Sequence, residues 1–466
     1  MTVESLTKSV RLSVILGGDT RLEASTYLRD GYGFVRLANQ CENHVKLGDL
    51  ADIWQPSRLA GYTVPDGKGL PFFTAGQVFE DFPRVRKWLA APFVPQVDTR
   101  YVKQEWLLLS CSGVVGNVTA VYPHHVGKVI THDLLRIVPK KTSEYGWLYA
   151  YMKTDFFKQI ARAAQYGHMI KHIEVEHANE FPVIMPEDGV RTDIGGKAAE
   201  AIRMRSRAWE MRDQAFETLE RYAGCSPASD GMKSPIGEYR EVSLSQILGR
   251  RLRLDADSYC GQVNAADAVI ARHTTNELQE LVESVYLPPR VARTFGDGGV
   301  PFAMPSDLFD VNAKPAKRIY QKLIPNHELF MLRPGELIMV RSGQKYGLIG
   351  RVMMVNENRS GMFGSDDPIR IVPDPKKVRT GYILAFLNDP KLGRPSVVRN
   401  AYGTSVPHLD LGDVKKMDVP RLGDKAEGAI ADLMDESVRL SAEADRLENE
   451  ATKLAQEQID LAISQP

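Results

Sequence analysis

Leu109-Ser110-Cys111-Ser112-Gly113 is answered 230 positions later by Met339-Val340-Arg341-Ser342-Gly343, in each case an apolar run that ends in a Ser-Gly turn. Four more segments repeat in the same order around this pair. Arg21-Leu22-Glu23-Ala24-Ser25-Thr26-Tyr27 returns as Arg253-Leu254-Asp255-Ala256-Asp257-Ser258-Tyr259, and Gly69-Leu70-Pro71-Phe72 as Gly299-Val300-Pro301-Phe302. His132-Asp133-Leu134-Leu135-Arg136-Ile137-Val138-Pro139 returns as Asp366-Asp367-Pro368-Ile369-Arg370-Ile371-Val372-Pro373. Tyr166-Gly167 with His172-Ile173 returns as Tyr402-Gly403 with His408-Leu409. The offset stays between 230 and 236, which small loop insertions explain. Chance supplies one such match but not a collinear set of five, so the chain is two diverged copies of one element.

Each copy carries short β-rich runs punctuated by Gly and Pro: Trp106–Leu109 and Arg136–Val138 in the first, Glu336–Val340 and Arg351–Val355 in the second. Such runs predict strands joined by turns. Helix-period stretches follow at Trp147–Met152 and Tyr382–Leu387. Each copy then closes in a longer helix. The first, from about Lys197 to Tyr222, has Ile202, Trp209 and Phe216 at strict sevens; the second, from about Lys425 to Ala462, has Leu433, Leu440, Leu447, Leu454 and Leu461. Ala444 and Ala451 sit three positions before successive leucines, at the companion core position. A heptad seam held over four repeats is the signature of a coiled coil. The economical partner for each helix is the other, so the two are expected to pair within the chain.

The expected fold is therefore α+β: two tandem diverged domains, separated and followed by long helices that pair as an antiparallel coiled coil. The expected boundaries are a first domain at 1–190, a helix at 191–226, a linker at 227–236, a second domain at 237–422 and a second helix at 423–466.

The 59 basic and 59 acidic residues cancel, yet they are unevenly spread. From Asp424 to Ile463 there are eleven acidic and four basic residues, a net charge of −7, so the remainder carries +7. The domains are mildly basic, as a polyanion-binding surface requires. No run of eighteen apolar residues occurs, and Met1-Thr2-Val3-Glu4 does not open a basic-then-apolar leader, so a cytoplasmic protein without a membrane span is expected. Cys41, Cys111, Cys225 and Cys260 lie far apart with no CxxC spacing, which predicts small buried thiols rather than a disulfide or zinc framework.

Catalytic signatures are missing. There is no GxxxxGK[ST] loop, no GxGxxG opening a helix, no GxSxG elbow, no HExxH, and no Asn/Asp-Pro-Pro-aromatic run of the amino-methyltransferase kind. The ligand-like histidines are His124-His125 and the series His168, His172 and His177. His168 and His172 could share a helical face around zinc, but His168 aligns with Thr404, and only His172 has a counterpart, His408. No catalytic residue, metal or bound cofactor is expected in this chain. The Gly-rich stretches Ser112–Gly116 and Ser342–Gly350 lack a following helix and a phosphate-loop lysine, so they are expected to be tight turns.

Two α+β domains alternating with two long helices resemble the specificity (S) subunit of type I restriction-modification enzymes along essentially the whole chain. The Ser-x-x-Gly-x-[Ile/Leu/Val]-Gly turn of that family is similar to Ser110–Gly116 and to Ser342–Gly350. Its closing Gly-Thr-x-x-Pro-x-[Leu/Ile] turn is matched by Gly403-Thr404-Ser405-Val406-Pro407-His408-Leu409. Copy one departs there, since Gly167–Ile173 lacks the Thr and the Pro, and the Pro-Leu-x-Glu-Gln helix entry is degraded at Pro186-Glu187-Asp188 and Arg421–Asp424. The resemblance implies that each domain reads one half of a split double-stranded DNA target and that the helical pair sets the spacing. It further implies docking of two copies of an adenine methyltransferase, which would bind S-adenosylmethionine, with motor-nuclease restriction subunits in systems that cut.

Basic, amide or aromatic side chains on inter-strand loops are the candidate DNA contacts. In copy one these are Arg84, Arg86, Lys87, Asn117 and Lys171; in copy two, Lys314, Lys317, Arg318, Arg341, Lys345 and Tyr346. Arg grips guanine and Asn adenine bidentately, whereas Lys more often meets phosphate. The competing readings are a coiled-coil interaction scaffold without DNA function and, further off, a metalloenzyme built on His168 and His172.

Overall fold

The computed structural model describes residue 12 and residues 30–166, 171–225, 241–248 and 253–464. His168, the 227–236 linker and the first member of the Arg21/Arg253 pair lie outside these residues.

Copy one begins with helix α1 (Asp30–Ala38) and strands β1 (His44–Lys46), β2 (Ala51–Trp54), β3 (Thr63–Val64), β4 (Leu70–Phe73) and β5 (Lys87–Leu89). Strands β6 (Leu107–Ser110), β7 (Val118–Ala120), β8 (Val129–Ile130) and β9 (Leu134–Pro139) follow. Helices α2 (Tyr145–Lys153) and α3 (Asp155–Ala164), strand β10 (Pro182–Ile184) and the long helix α4 (Asp188–Ala223) complete it. The sheets are ordered β2-β9-β6-β7 and β3-β5-β4-β8, with β1 paired to β10. All ladders are antiparallel except β4 with β8.

Copy two repeats this plan with α5 (Gly261–Ile270), β11 (Thr275–Glu277), β12 (Val282–Tyr286), β13 (Phe295–Ala303), β14 (Lys317–Ile319), β15 (Leu337–Met339) and β16 (Val352–Met354). Then come β17 (Phe363–Gly364), β18 (Ile369–Pro373), α6 (Thr380–Asn388), α7 (Gly393–Val398), β19 (Asp418–Pro420) and the long helix α8 (Asp424–Ser464). Its sheets run β12-β18-β15-β16 and β14-β13-β17, with β11 paired to β19. The single long strand β13 does the work of β3 and β4, because both Phe295 and Val300 face Ile319. The one parallel contact recurs too: Phe72 beside Val129 in copy one, Phe302 beside Phe363 in copy two.

The strands form where the apolar runs predict them. Leu107, Leu108 and Leu109 are all sealed, as are Leu337, Ile338 and Met339, so both faces of these central strands are covered. Arg136 and Arg370, matched in sequence, are both buried on the strand beside them. Arg136 donates to the carbonyls of Ile130, Thr131 and Leu134; Arg370 donates to Phe330 O and reaches Glu336 at 3.2 Å. Burial pushes the Arg136 guanidinium down to about 10.

Helix α4 starts nine residues before Lys197, through a stretch with three glycines that disfavours helix. Packing overrides propensity here. A Cβ at Gly146 would collide with the carbonyl of Gly195, and one at Gly195 would lie 2.9 Å from Trp147 N, so the glycines let α2 and α4 cross backbone to backbone. Gly381 of α6 faces Ala431 of α8 in the same way.

The chain forms two compact units, residues 1–206 with 443–466, and residues 207–442. The division falls inside the long helices rather than at the ends expected for the domains. In the first unit, Lys197 reaches Glu450 at 3.2 Å and Arg205 reaches Asp445 at 2.6 Å, so the segments run antiparallel. The sealed line there is Ile194, Ala198, Ala201 and Arg205 on α4, with Ala444, Glu448, Ala451, Ala455 and Ile459 on α8. In the second unit the corresponding lines are Ala208, Ala215 and Leu219, and Ile430, Met434, Ser437 and Ser441. These positions step by four and three, with one skipped between Ala208 and Ala215 and a second four at the end of α8, close to a heptad seam.

The expected core set is shifted relative to that seam. Ile202, Trp209 and Phe216 are buried one position beyond it, and Leu440 is buried one position before Ser441. Leu433, Leu447 and Leu454 are only half-buried, and Leu461 is 54% exposed. The axis of α8 is taken by Ala444, Ala451 and Ala455 with Ile430, Met434 and Ile459, so its leucines flank the seam instead.

Candidate nucleic-acid interface

The candidate residues occupy two places in each domain. The first is the segment leading into β5 and its counterpart leading into β14. Arg84 and Lys87 stand 230 residues before Lys314 and Lys317, so the two copies place cations at the same two positions. Lys87, Lys314, Lys317 and Arg318 are exposed. Arg84 is half-buried with its guanidinium 5.6 Å from the Phe82 ring, and Arg318 donates Nε to Gly299 O at 2.9 Å. Arg86 differs. It grips Glu80 through both terminal nitrogens, at 2.8 and 2.5 Å, with both side chains largely buried. Its fork is occupied within the domain, where it holds this segment to Glu80.

The second place is the Ser-Gly loop. In copy one, Ser112 bridges to His172, Gly113 N donates to Lys171 O at 3.0 Å and Ile173 N to Cys111 O at 3.0 Å. In copy two, Ser342 bridges to His408, Gly343 N donates to Pro407 O at 3.0 Å and Leu409 N to Arg341 O at 2.9 Å. The frames coincide bond for bond. Each loop ends at a glycine with positive φ, Gly116 at 95° and Gly350 at 72°, whose amide returns to the strand at Ser110 O or Val340 O. A Cβ at these glycines would lie 3.3 Å from Ala161 or 2.6 Å from Val397, on the equivalent helices α3 and α7.

What hangs on this frame differs between copies. In copy one the Ser110 hydroxyl donates to Val114 O and accepts from Asn117 N, closing a short loop on which Asn117 is half-buried. In copy two the loop is longer and is tied by Gln344 to Ser405 O and by Arg394 to Ile349 O. It presents Tyr346 to solvent, with Lys345 and Arg341 half-buried and Arg341 donating Nε to Leu409 O at 3.2 Å. Lys171 is half-buried beside Gly113.

The repeat match of Tyr166 and His172 with Tyr402 and His408 proves to be a pair of ring contacts, which the sequence reading did not name as part of the site. Tyr166 packs on His172 with centroids 3.9 Å apart, and Tyr402 on His408 at 4.2 Å. The signal was present as a Tyr six residues before a His in both copies. His125 is sealed, its Nδ1 accepting from Tyr122 N at 3.2 Å, and burial, with His124 and Lys128 adding to it, pushes it down to about 3. It is therefore neutral and structural. Burial pushes the Cys111 thiol up to about 12, which makes it an inert core residue. Among the described residues no three His, Cys, Asp or Glu side chains gather as metal ligands, and no helix is long and apolar enough to cross a membrane.

No protein-family model matches the sequence, and no curated protein matches it. Solved structures are similar along most of its length. The S subunit of the type I restriction-modification system from M. genitalium is 12% identical, with 91% of this chain and 96% of that one covered and a TM-score of 0.33. The HsdS subunit from Thermoanaerobacter tengcongensis is 14% identical, with 91% and 96% covered and a TM-score of 0.27. A chain from a structure of complex assembly and conformational transition in the type I R-M system is 14% identical, with 90% and 97% covered and a TM-score of 0.28.

Proposed function

We propose that this chain is the DNA sequence-recognition subunit of a restriction-modification assembly. Each domain reads one half of a bipartite duplex target, and the two long helices fix the spacing between the halves. The observation that carries this reading is the Ser-Gly loop, held by the same hydrogen bonds in both copies while displaying different side chains. A reader of two unlike half-sites needs one frame presented twice with different surfaces. The matched cations Arg84 and Lys314, and Lys87 and Lys317, supply phosphate contacts that place each frame on the backbone. Asn117, Lys171, Arg318, Arg341, Lys345 and Tyr346 are the specificity candidates.

The chain itself performs no chemistry in this reading. Two copies of an adenine methyltransferase, binding S-adenosylmethionine, dock on it, and motor-nuclease subunits join where the system cuts. The pseudo-twofold repeat suits two identical partners. The near-neutral total charge is consistent with those partners supplying much of the phosphate neutralisation.

Selection from a random-sequence duplex library, with and without the methyltransferase, tests this. A split motif of two conserved blocks around an unspecified spacer, enriched when the partner is present, is the expected result. Enrichment of one contiguous block, or of none, would overturn the reading.

A further inference from the structure

Both copies leave apolar rings bare at the same end of the same sheet. In copy one, Tyr62, just before β3, is 61% exposed, and Phe93, in the turn after β5, is 60% exposed; their ring centroids lie 5.1 Å apart. In copy two, Phe295, Tyr320 and Leu323 are 44, 38 and 67% exposed. The backbone beneath them is the same, since Ala90 N donates to Tyr62 O at 3.0 Å and Tyr320 N to Thr294 O at 3.0 Å. Leu323 stands 230 residues after Phe93.

A single exposed apolar side chain needs no explanation, but a matched cluster in two diverged copies does. Copy two is also shaped to hold its ring. A Cβ at Gly296 would come within 2.5 Å of the Tyr320 ring, so glycine there lets the ring lie across the hairpin. Cations stand in the strand beside each cluster, and in copy two one lies against the ring. Exposed Lys87 and Lys317 occupy matched positions, Lys317 Nζ lies 5.6 Å from the Phe295 ring, and exposed Arg318 follows it in the strand. Aromatic and leucine side chains with lysine and arginine in the adjoining strand fit a polyanion that carries flat apolar faces, which is duplex DNA.

We propose that Tyr62 with Phe93, and Phe295 with Leu323, are apolar wedges that enter a groove of each half-site and unstack a base step, while Lys87 and Lys317 meet the flanking phosphates. This rests on the DNA reading above and adds that part of the specificity comes from deforming the target. Pyrimidine–purine steps, which unstack most readily, are then favoured at the wedge position.

The test uses the full chain with the duplex selected from the library, measuring bend angle by fluorescence transfer between the duplex ends, together with affinity for target and random duplex. Tyr62→Ser with Phe93→Ser, and separately Phe295→Ser with Leu323→Ser, change exposed side chains only, and unchanged thermal unfolding confirms the fold. Each pair is expected to reduce the bend and weaken target binding by tenfold or more, with random-duplex affinity within about twofold. Unchanged bend and affinity with an intact split motif would overturn the wedge alone. Loss of methyltransferase docking with the bend retained would also overturn it, assigning the tip to a protein partner. Failure of the wild-type chain, with the methyltransferase present, to select any motif would remove the wedge and the DNA reading together.

Discussion

Arg205 Nη1 lies 2.8 Å from Glu448 Oε2, across 243 residues of sequence, and both side chains are 1% exposed. Asp445 takes the other terminal nitrogen at 2.6 Å, while Tyr149 OH and Lys153 Nζ reach Glu448 at 2.8 and 2.9 Å. Tyr122 OH accepts from Arg205 at 2.9 Å. Burial opposes the charge on Arg205, but Tyr122, Glu448 and Asp445 overcome it and hold its pKa well above the usual value. Arg205→Met should cost about 3–5 kcal/mol, because it takes the guanidinium from two buried carboxylates. Replacing Asp445 and Glu448 by leucine and methionine as well should recover most of that loss. Urea unfolding of the three proteins checks it.

His125 gives a pH dependence. Its folded pKa of about 3 lies below the ordinary imidazole value of 6.5, so the unfolded chain binds the extra proton between those limits. Stability from this group is therefore full above about pH 6.5 and falls as pH drops towards 3, by up to about 1.4 kcal/mol per pH unit. His125→Gln should flatten the profile by as much as one proton. Coincident slopes for the two proteins would refute a neutral buried imidazole.

The loop glycines should separate the two half-sites. At Gly350, positive φ and the 2.6 Å approach to Val397 make Gly350→Ala costly, by about 1–3 kcal/mol. Library selection with this variant should blur the block read by copy two and leave the other block sharp. Gly116→Ala should do the converse.

Lys314→Ala and Lys317→Ala should weaken binding to all sequences alike, each lowering the salt-dependence slope by about one. Arg86→Ala should leave that slope unchanged. It should instead destabilise the first unit by about 1–3 kcal/mol, since Glu80 loses its bidentate partner. Titration of binding against salt, beside thermal melts, distinguishes the two behaviours.

One heptad added to both α4 and α8 lengthens the pair by about 10 Å, close to three base pairs. The selected motif should gain about that much spacer with both blocks unchanged. A fixed spacer would mean that the helices do not set it.

The sequence displayed the fold well because duplication prints every scaffold feature twice. Arg136 and Arg370 fall on matched strands, and the Tyr–His pairs recur with their spacing intact. Four things were hidden. Ala444 and Ala451 are sealed as the heptad reading placed them, but the leucines lie beside the axis rather than on it, since periodicity fixes a face only to within a residue either way. The early start of α4 depends on Gly146 meeting Gly195, a contact between elements that no local preference records. The ion pair of Arg86 with Glu80 could not be read either, because the two residues, six apart, meet only once the segment folds back. The exposed rings left no pattern, because a bare Tyr62 and a buried Tyr122 read alike in one dimension.

The division of the helices has a consequence for biosynthesis. Residues 443–464 belong to the first compact unit yet are translated after all of the second. While the ribosome works through copy two, Arg205 waits without its carboxylates and the alanine line of α4 from Ile194 to Arg205 stays open to water. A chain released early at residue 442 would carry that wound permanently, a ready mark for proteases. Synthesis of residues 443–464 is thus what closes the first unit over its buried charges.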